Sequence, residues 1–169
     1  MGRDDADGPV GGVDVAPVVC EQAVDEVLTA TRALIAVSTR SLGALAEDVS
    51  AAQYRTLVVL ASRGPQRMVD LAHQLQVNPS SLGRMCDRLV RKGLAGRHRA
   101  RTDRRIVMVS LSGEGRRVVD EVTGSRRAMI SELLAELSVE QQRAAVAALR
   151  LVSRKAGEIP DHEWPATPT

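Results

Sequence analysis

Between Arg55 and Arg105 the chain gathers Arg55, Arg63, Arg67, Arg84, Arg88, Arg91, Lys92, Arg97, Arg99, Arg101, Arg104 and Arg105 against only Asp70, Asp87 and Asp103. That stretch carries +9 in a protein whose formal total is +2, which leaves −7 for the remainder. Guanidiniums concentrated in an otherwise acidic chain are the electrostatic footprint of a polyanion-binding module. A solvated Arg-rich face is the plainer alternative. Within the stretch, Asn78-Pro79-Ser80-Ser81 is followed by Arg84 and Arg88. Short hydroxyls donate to a phosphate oxygen or a base edge, and a guanidinium can bridge O6 and N7 of guanine. A second group, Arg101, Asp103, Arg104 and Arg105, lies further on, and Arg67 stands apart from both.

Other chemistry is sparse. There is no HExxH, GxSxG, Walker loop or GxGxxG, and no paired carboxylates stand out on an apolar face, so catalysis is not expected. Cys20 and Cys86 form no CxxC knuckle, and His73, His98 and His162 are scattered, so neither a metal nor a cofactor is expected. His73 reads as a surface or DNA-proximal residue. Phe is absent and Trp and Tyr occur once each, which removes the stacking platforms that single-stranded nucleic acid needs. The start Met-Gly-Arg-Asp-Asp has no apolar signal core and no run is long enough to span a bilayer, so a soluble cytoplasmic protein is the expectation.

The elements that must position these residues follow from periodicity. Residues 1–17, rich in Gly, Pro and Asp, read as a disordered acidic tail. Val24, Val27, Leu28, Leu34, Ile35, Leu42 and Leu45 recur at helical spacing, giving one long helix over 18–48. Ser50 to Gln53 is a capping box that opens a helix ended by Arg63-Gly64-Pro65. A short helix over Met68–Leu75 comes next, then a helix over Pro79–Lys92 with Asn78 as its cap and Pro79 at its first position. Leu94–Arg99 and Ile106–Leu111 read as two strands joined by a charged tip. Ser112 caps a long helix, Ser138 to Gln141 is a second capping box, and 158–169 is a flexible tail in which Trp164 hangs free or docks on a partner subunit. The fold class is mainly α with a small β-hairpin wing. A winged helix-turn-helix domain over 50–112 is flanked by an N-terminal helix (18–48) and C-terminal helices (113–157). Those outer helices are more apolar than one small domain can use, which favours a homodimer interface over an intramolecular hairpin.

The helix beginning at Asn78 would enter a major groove by its N-terminal end, with Ser80, Ser81 and Arg84 near base edges. Arg88 reaches a phosphate or pairs with Asp87 or a wing residue. The cationic tip suits the flanking minor groove, whose negative potential attracts arginine.

Asp70-Leu71-Ala72 with Leu75, Asn78-Pro79-Ser80-Ser81, Arg84, Asp87-Arg88-Leu89, Lys92-Gly93-Leu94 and Arg97 together resemble the MarR family of bacterial regulators. The likeness continues through Asp103-Arg104-Arg105, Val107, Val109 and Ser110 to Gly115, within a match of about residues 19–156. The resemblance implies a transcriptional regulator, a repressor, that binds duplex DNA as a homodimer on a pseudo-palindromic operator. It implies that Asp103 pairs with and orients Arg105 while Arg105 reaches into the groove; a turn-forming Asp at a hairpin tip is the alternative. It also implies release by a small amphipathic ligand bound between the dimerisation helices and the DNA-binding lobe. Some relatives sense peroxide through a cysteine near the place of Cys20, so a thiol-based redox regulator is one alternative. A winged-helix protein-interaction module is another. The sequence departs from the family pattern at Arg67, where a Ser or Thr cap is usual, and Gly83 is an oddity inside a helix.

Overall fold

The computed structural model describes residues 19–43, 49–100 and 103–166. The chain divides into two compact units between Ile35 and Ala36. Glu21–Leu42 forms the first helix, α1, which crosses that division. The expected extension of α1 toward residue 48 and the acidic tail over 1–17 fall on residues 44–48 and 1–18, outside the described residues.

The second unit holds all the elements after α1. Helix α2 spans Ala51–Arg63, and both halves of its capping box form: the Ser50 hydroxyl accepts from the Gln53 N–H, and the Gln53 side chain accepts from the Ser50 N–H. Two otherwise orphaned donors at the helix start are satisfied within four residues, so the helix start is set locally. Strand β1 is Gln66–Arg67, α3 is Met68–Leu75 and α4 is Pro79–Arg91. Gly93 follows α4 with φ near +72°, a conformation that a side chain resists, and the chain turns there into strand β2, Ala95–Arg99. Strand β3 is Val107–Leu111, α5 is Gly113–Ala135 and α6 is Val139–Lys155, the last opened by the Ser138–Gln141 capping box.

The wing is larger than expected. In place of a two-stranded hairpin there is a three-stranded antiparallel sheet in the order β1-β3-β2, with Arg67 opposite Met108 and Arg97 opposite Val109. A two-residue strand has no periodicity to read. It exists because β3 offers a free edge, so its cause is tertiary.

Leu57, Leu60, Leu71, Leu82, Leu89, Val109, Val119 and Val122 are fully buried and bring α2, α3, α4, β3 and α5 onto one core. Each such side chain is worth roughly 1.5–3 kcal/mol of burial. Gly115, at the start of α5, is held by close packing, since a Cβ there would overlap the carbonyl oxygen of Leu94.

Trp164 does not hang free. It is half-buried against this core, its Nε1–H donates to the Ile159 carbonyl at 2.8 Å, and Arg116 lies over its ring. The physical reason is that a large apolar ring gains more from a core with no Phe than from water. The segment after α6 folds back with it. Arg55 of α2 pairs with Glu158, Arg63 donates to the Gly157 carbonyl at 2.6 Å, and Arg127 of α5 meets Asp161 at 3.4 Å.

Candidate nucleic-acid interface

Helix α4 is presented by its own first turn. The Asn78 side-chain oxygen accepts from the Ser81 N–H at 2.8 Å and from the Ser80 hydroxyl at 2.9 Å. Asn78 therefore works inward, holding the turn, while Ser80 stays exposed with its lone pairs outward. Ser81 is half-buried and accepts weakly from Arg84 Nη2 at 3.4 Å, which draws that exposed guanidinium along the helix start. Arg88 is exposed one turn later. Its candidate internal partner, Asp87, is engaged by Arg97 of β2 at 2.8 Å. Arg88 thus has no acidic partner among the described residues. The Asp87–Arg97 pair joins α4 to the wing strand and fixes one against the other.

The wing tip is organised through its backbone. The Asp103 carboxylate accepts from the Arg105 N–H at 2.8 Å, the Asp103 carbonyl accepts from Ile106 N–H at 3.0 Å, and Arg99 donates to the Arg104 carbonyl at 2.7 Å. Of the two roles open to Asp103, the free protein displays the turn-forming one, in which the carboxylate meets Arg105 through its main-chain N–H. A short carboxylate reaches the amide two residues on more readily than a guanidinium that extends away from it. Arg104 and Arg105 are exposed and have no acidic partner among the described residues. Arg101 lies outside the described residues.

Arg67 closes β1 and occupies the cap position of α3 without a side-chain cap bond, so the expected lack of a cap is real and its guanidinium is exposed. Sequence reasoning had no positioning role for Arg97 or Arg99. No local pattern marks Arg97, because its partner Asp87 lies ten residues away on another element and only the folded pairing brings them together.

The MarR family model matches residues 49–107, which hold α2 through the start of β3. The transcriptional repressor MdtR of Bacillus subtilis is 33% identical over 95 residues, 56% of this chain and 61% of that protein. The structure of RV1404 from Mycobacterium tuberculosis superposes with a TM-score of 0.78 at 36% identity, covering 86% of this chain and 99% of that one. The chain belongs to the MarR family. It spans about three fifths of the length of the first curated relatives it matches. FabT of Streptococcus pneumoniae, solved in complex with DNA, shares the MarR fold at a TM-score of 0.64 and 22% identity, over 80% of this chain and 96% of that one.

Within this MarR chain the cysteines differ sharply. Cys20 is exposed just ahead of α1, where its carbonyl accepts from the Val24 N–H. Cys86 is buried in α4, and burial pushes its thiol up to about 11, with Arg97 opposing and Asp87 adding. A thiol held neutral in a dry core is a packing residue. Among the described residues no group of three or more His, Cys, Asp or Glu is placed to hold a metal ion, and no helix is long and apolar enough to cross a membrane. His73 is exposed on α3, and Arg63, Arg55 and Arg116 are tied to the C-terminal segment.

Proposed function

We propose that this chain is a sequence-specific, duplex-DNA-binding transcriptional regulator, a repressor, acting as a homodimer on a pseudo-palindromic operator. One observation carries the reading. Arg84, Arg88, Arg104 and Arg105 stand exposed on α4 and the wing without acidic partners among the described residues, while Asp87 and Asp103 are used internally. Unmatched guanidiniums on a helix and a loop suit the phosphates and grooves of a double helix. Ser80, Ser81 and Arg84 would face base edges, Arg88 and Arg67 phosphates, and Arg101, Arg104 and Arg105 the adjacent minor groove. Asn78 and Asp103 would hold these groups in place. Soluble cytoplasmic residence is part of this reading.

The dimer reading rests on apolar faces that have no cover in one chain. Val24, Val27, Leu28, Leu34 and Ile35 of α1 are exposed, and so are Leu133 of α5 and Val146, Leu149 and Leu151 of α6. Leu28 is 53% and Leu151 62% exposed, and large apolar side chains left in water along three helices support an interaction surface there. A two-fold dimer would cover these faces and set two recognition helices on successive major grooves. The effector reading has a place to start: a cleft of about 540 Å³ between α2, α5, α6 and the C-terminal segment, with Tyr54, Val58, Leu149 and Trp164 beside Arg126 and Arg150. The lining also holds Arg55 and Glu158, which pair with each other, and Asp161, which pairs with Arg127. Arg126 and Arg150 are thus the cations available to a small amphipathic anion against the apolar wall.

Selection of bound duplexes from a random pool tests the function. A pseudo-palindromic consensus is expected, and Arg84→Ala should relax base preference at one symmetric position while Arg105→Ala lowers affinity with the consensus kept. Recovery of random sequence, or variants that change neither affinity nor preference, overturns the assignment.

A further inference from the structure

Gly83 is the one residue of α4 that the fold does not explain. It sits inside a regular helix with no left-handed φ, and a Cβ added there would meet nothing within 4 Å. Inside a helix only proline is less favourable than glycine, so a fold under no other demand would hold alanine here. Helical spacing puts Gly83 on the same face as Pro79, Ser80 and Asp87. It also lines a cleft of about 540 Å³ shared with Arg67 of β1, Asp70 and Pro79, Arg97 of β2 and Arg105 of the wing. Three guanidiniums from three elements therefore look onto a bare patch of helix backbone. Arg97 is engaged by Asp87, whereas Arg67 and Arg105 have no acidic partner among the described residues. Asp70 is the single carboxylate among the lining residues.

The geometry points to this cleft as the seat of one backbone phosphate of bound DNA, with Gly83 kept so that the strand can lie against the helix and Arg67 supplying a cation from the α3 side. The inference rests on the DNA-binding reading above and deepens it. It gives α4 a contact that is blind to sequence, beside the base contacts of Arg84. It also accounts for both oddities together: a cation stands where the short helix lacks a side-chain cap, and a side chain is missing from another part of the lining of the same cleft.

The test uses the full-length protein, thermal unfolding without DNA, and binding to the selected duplex and to a shuffled one across a salt series. Gly83→Ala should raise Tm by about 2–4 °C while lowering affinity on the order of tenfold for both duplexes alike. Gly83→Leu should deepen that loss. Arg67→Ala should leave Tm nearly unchanged and make the slope of log affinity against log salt shallower by about one. If wild type binds duplex and Gly83→Ala binds equally well, the seat is not there. If Gly83→Ala lowers Tm and affinity together, the glycine serves the fold and the inference is overturned. An unchanged slope for Arg67→Ala removes the arginine from the site. Failure of wild type itself to bind any duplex is a separate result: it sinks the DNA-binding reading and the seat with it.

Discussion

Two arginine-rich faces of the same lobe differ in what their cations touch. On α4 and the wing, Arg84, Arg88, Arg104 and Arg105 point outward, and Asp87 and Asp103 are occupied by Arg97 and by a backbone N–H. On α2 and α5, Arg55 meets Glu158, Arg63 the Gly157 carbonyl, Arg127 Asp161, and Arg116 both Asp120 and the Trp164 ring. The residue type is the same and the consequence is opposite. Arginines of the second face fasten the C-terminal segment to the lobe; those of the first leave a field without a counter-charge. A charge count over Arg55–Arg105 includes members of both, so its +9 overstates what a polyanion meets.

The contrast predicts first that salt acts unequally. If a dimer neutralises about 6–10 phosphates, affinity for the operator should fall by roughly 10³–10⁵ between 50 and 200 mM salt. Thermal stability of the free protein should move little over that range, since the fastening contacts include hydrogen bonds and ring packing as well as exposed ion pairs. Titrations by anisotropy beside melting curves at the same salt concentrations check both. An affinity that holds constant would mean the outward cations are not meeting phosphates.

What could be read before folding follows the range of each interaction. The capping boxes at Ser50 and Ser138 and the Asn78-Pro79 helix start are contacts within four residues, and all three form. The three helices and the hairpin follow from periodicity for the same reason. Strand β1 was hidden because it depends on β3, some forty residues later. Asp103 left two readings open, and the choice between them depends on the geometry of a turn. The partners of Arg55 and Arg63 lie 103 and 94 residues away along the chain, beyond the reach of any local pattern. The cationic face was thus legible in kind, and its membership was not.

The second prediction weakens the fastened face at its largest contact. Trp164→Ala removes a half-buried ring and the stacking of Arg116, at an expected cost of about 2 kcal/mol, below the 3–5 kcal/mol of a fully buried aromatic. That corresponds to a fall in Tm of about 4–8 °C. Because Trp164 is the chain's single tryptophan, wild-type emission should be blue-shifted and move red on unfolding. Operator affinity of the folded variant should stay within about threefold of wild type, a change under 1 kcal/mol. A solvent-like emission maximum in the native protein would show that the ring is not packed.

The smallest effect is the sharpest comparison, because it neutralises one arginine on each face. Arg55 and Glu158 are both about half exposed in their side chains, so Arg55→Gln should cost only about 0.2–1 kcal/mol and less at high salt. Its effect on operator affinity should be slight, since its charge was already matched. Arg88→Gln has no acid to abandon, so stability should be unchanged or slightly raised by relief of repulsion from neighbouring cations. Its cost should appear in DNA binding, as a salt slope shallower by about one and an equal loss on matched and shuffled duplexes. Chemical denaturation and the salt series, run on both variants, give four numbers whose pattern is crossed. If both substitutions weaken DNA binding alike, the cations act through net charge alone, and the distinction between a fastened face and a binding face disappears.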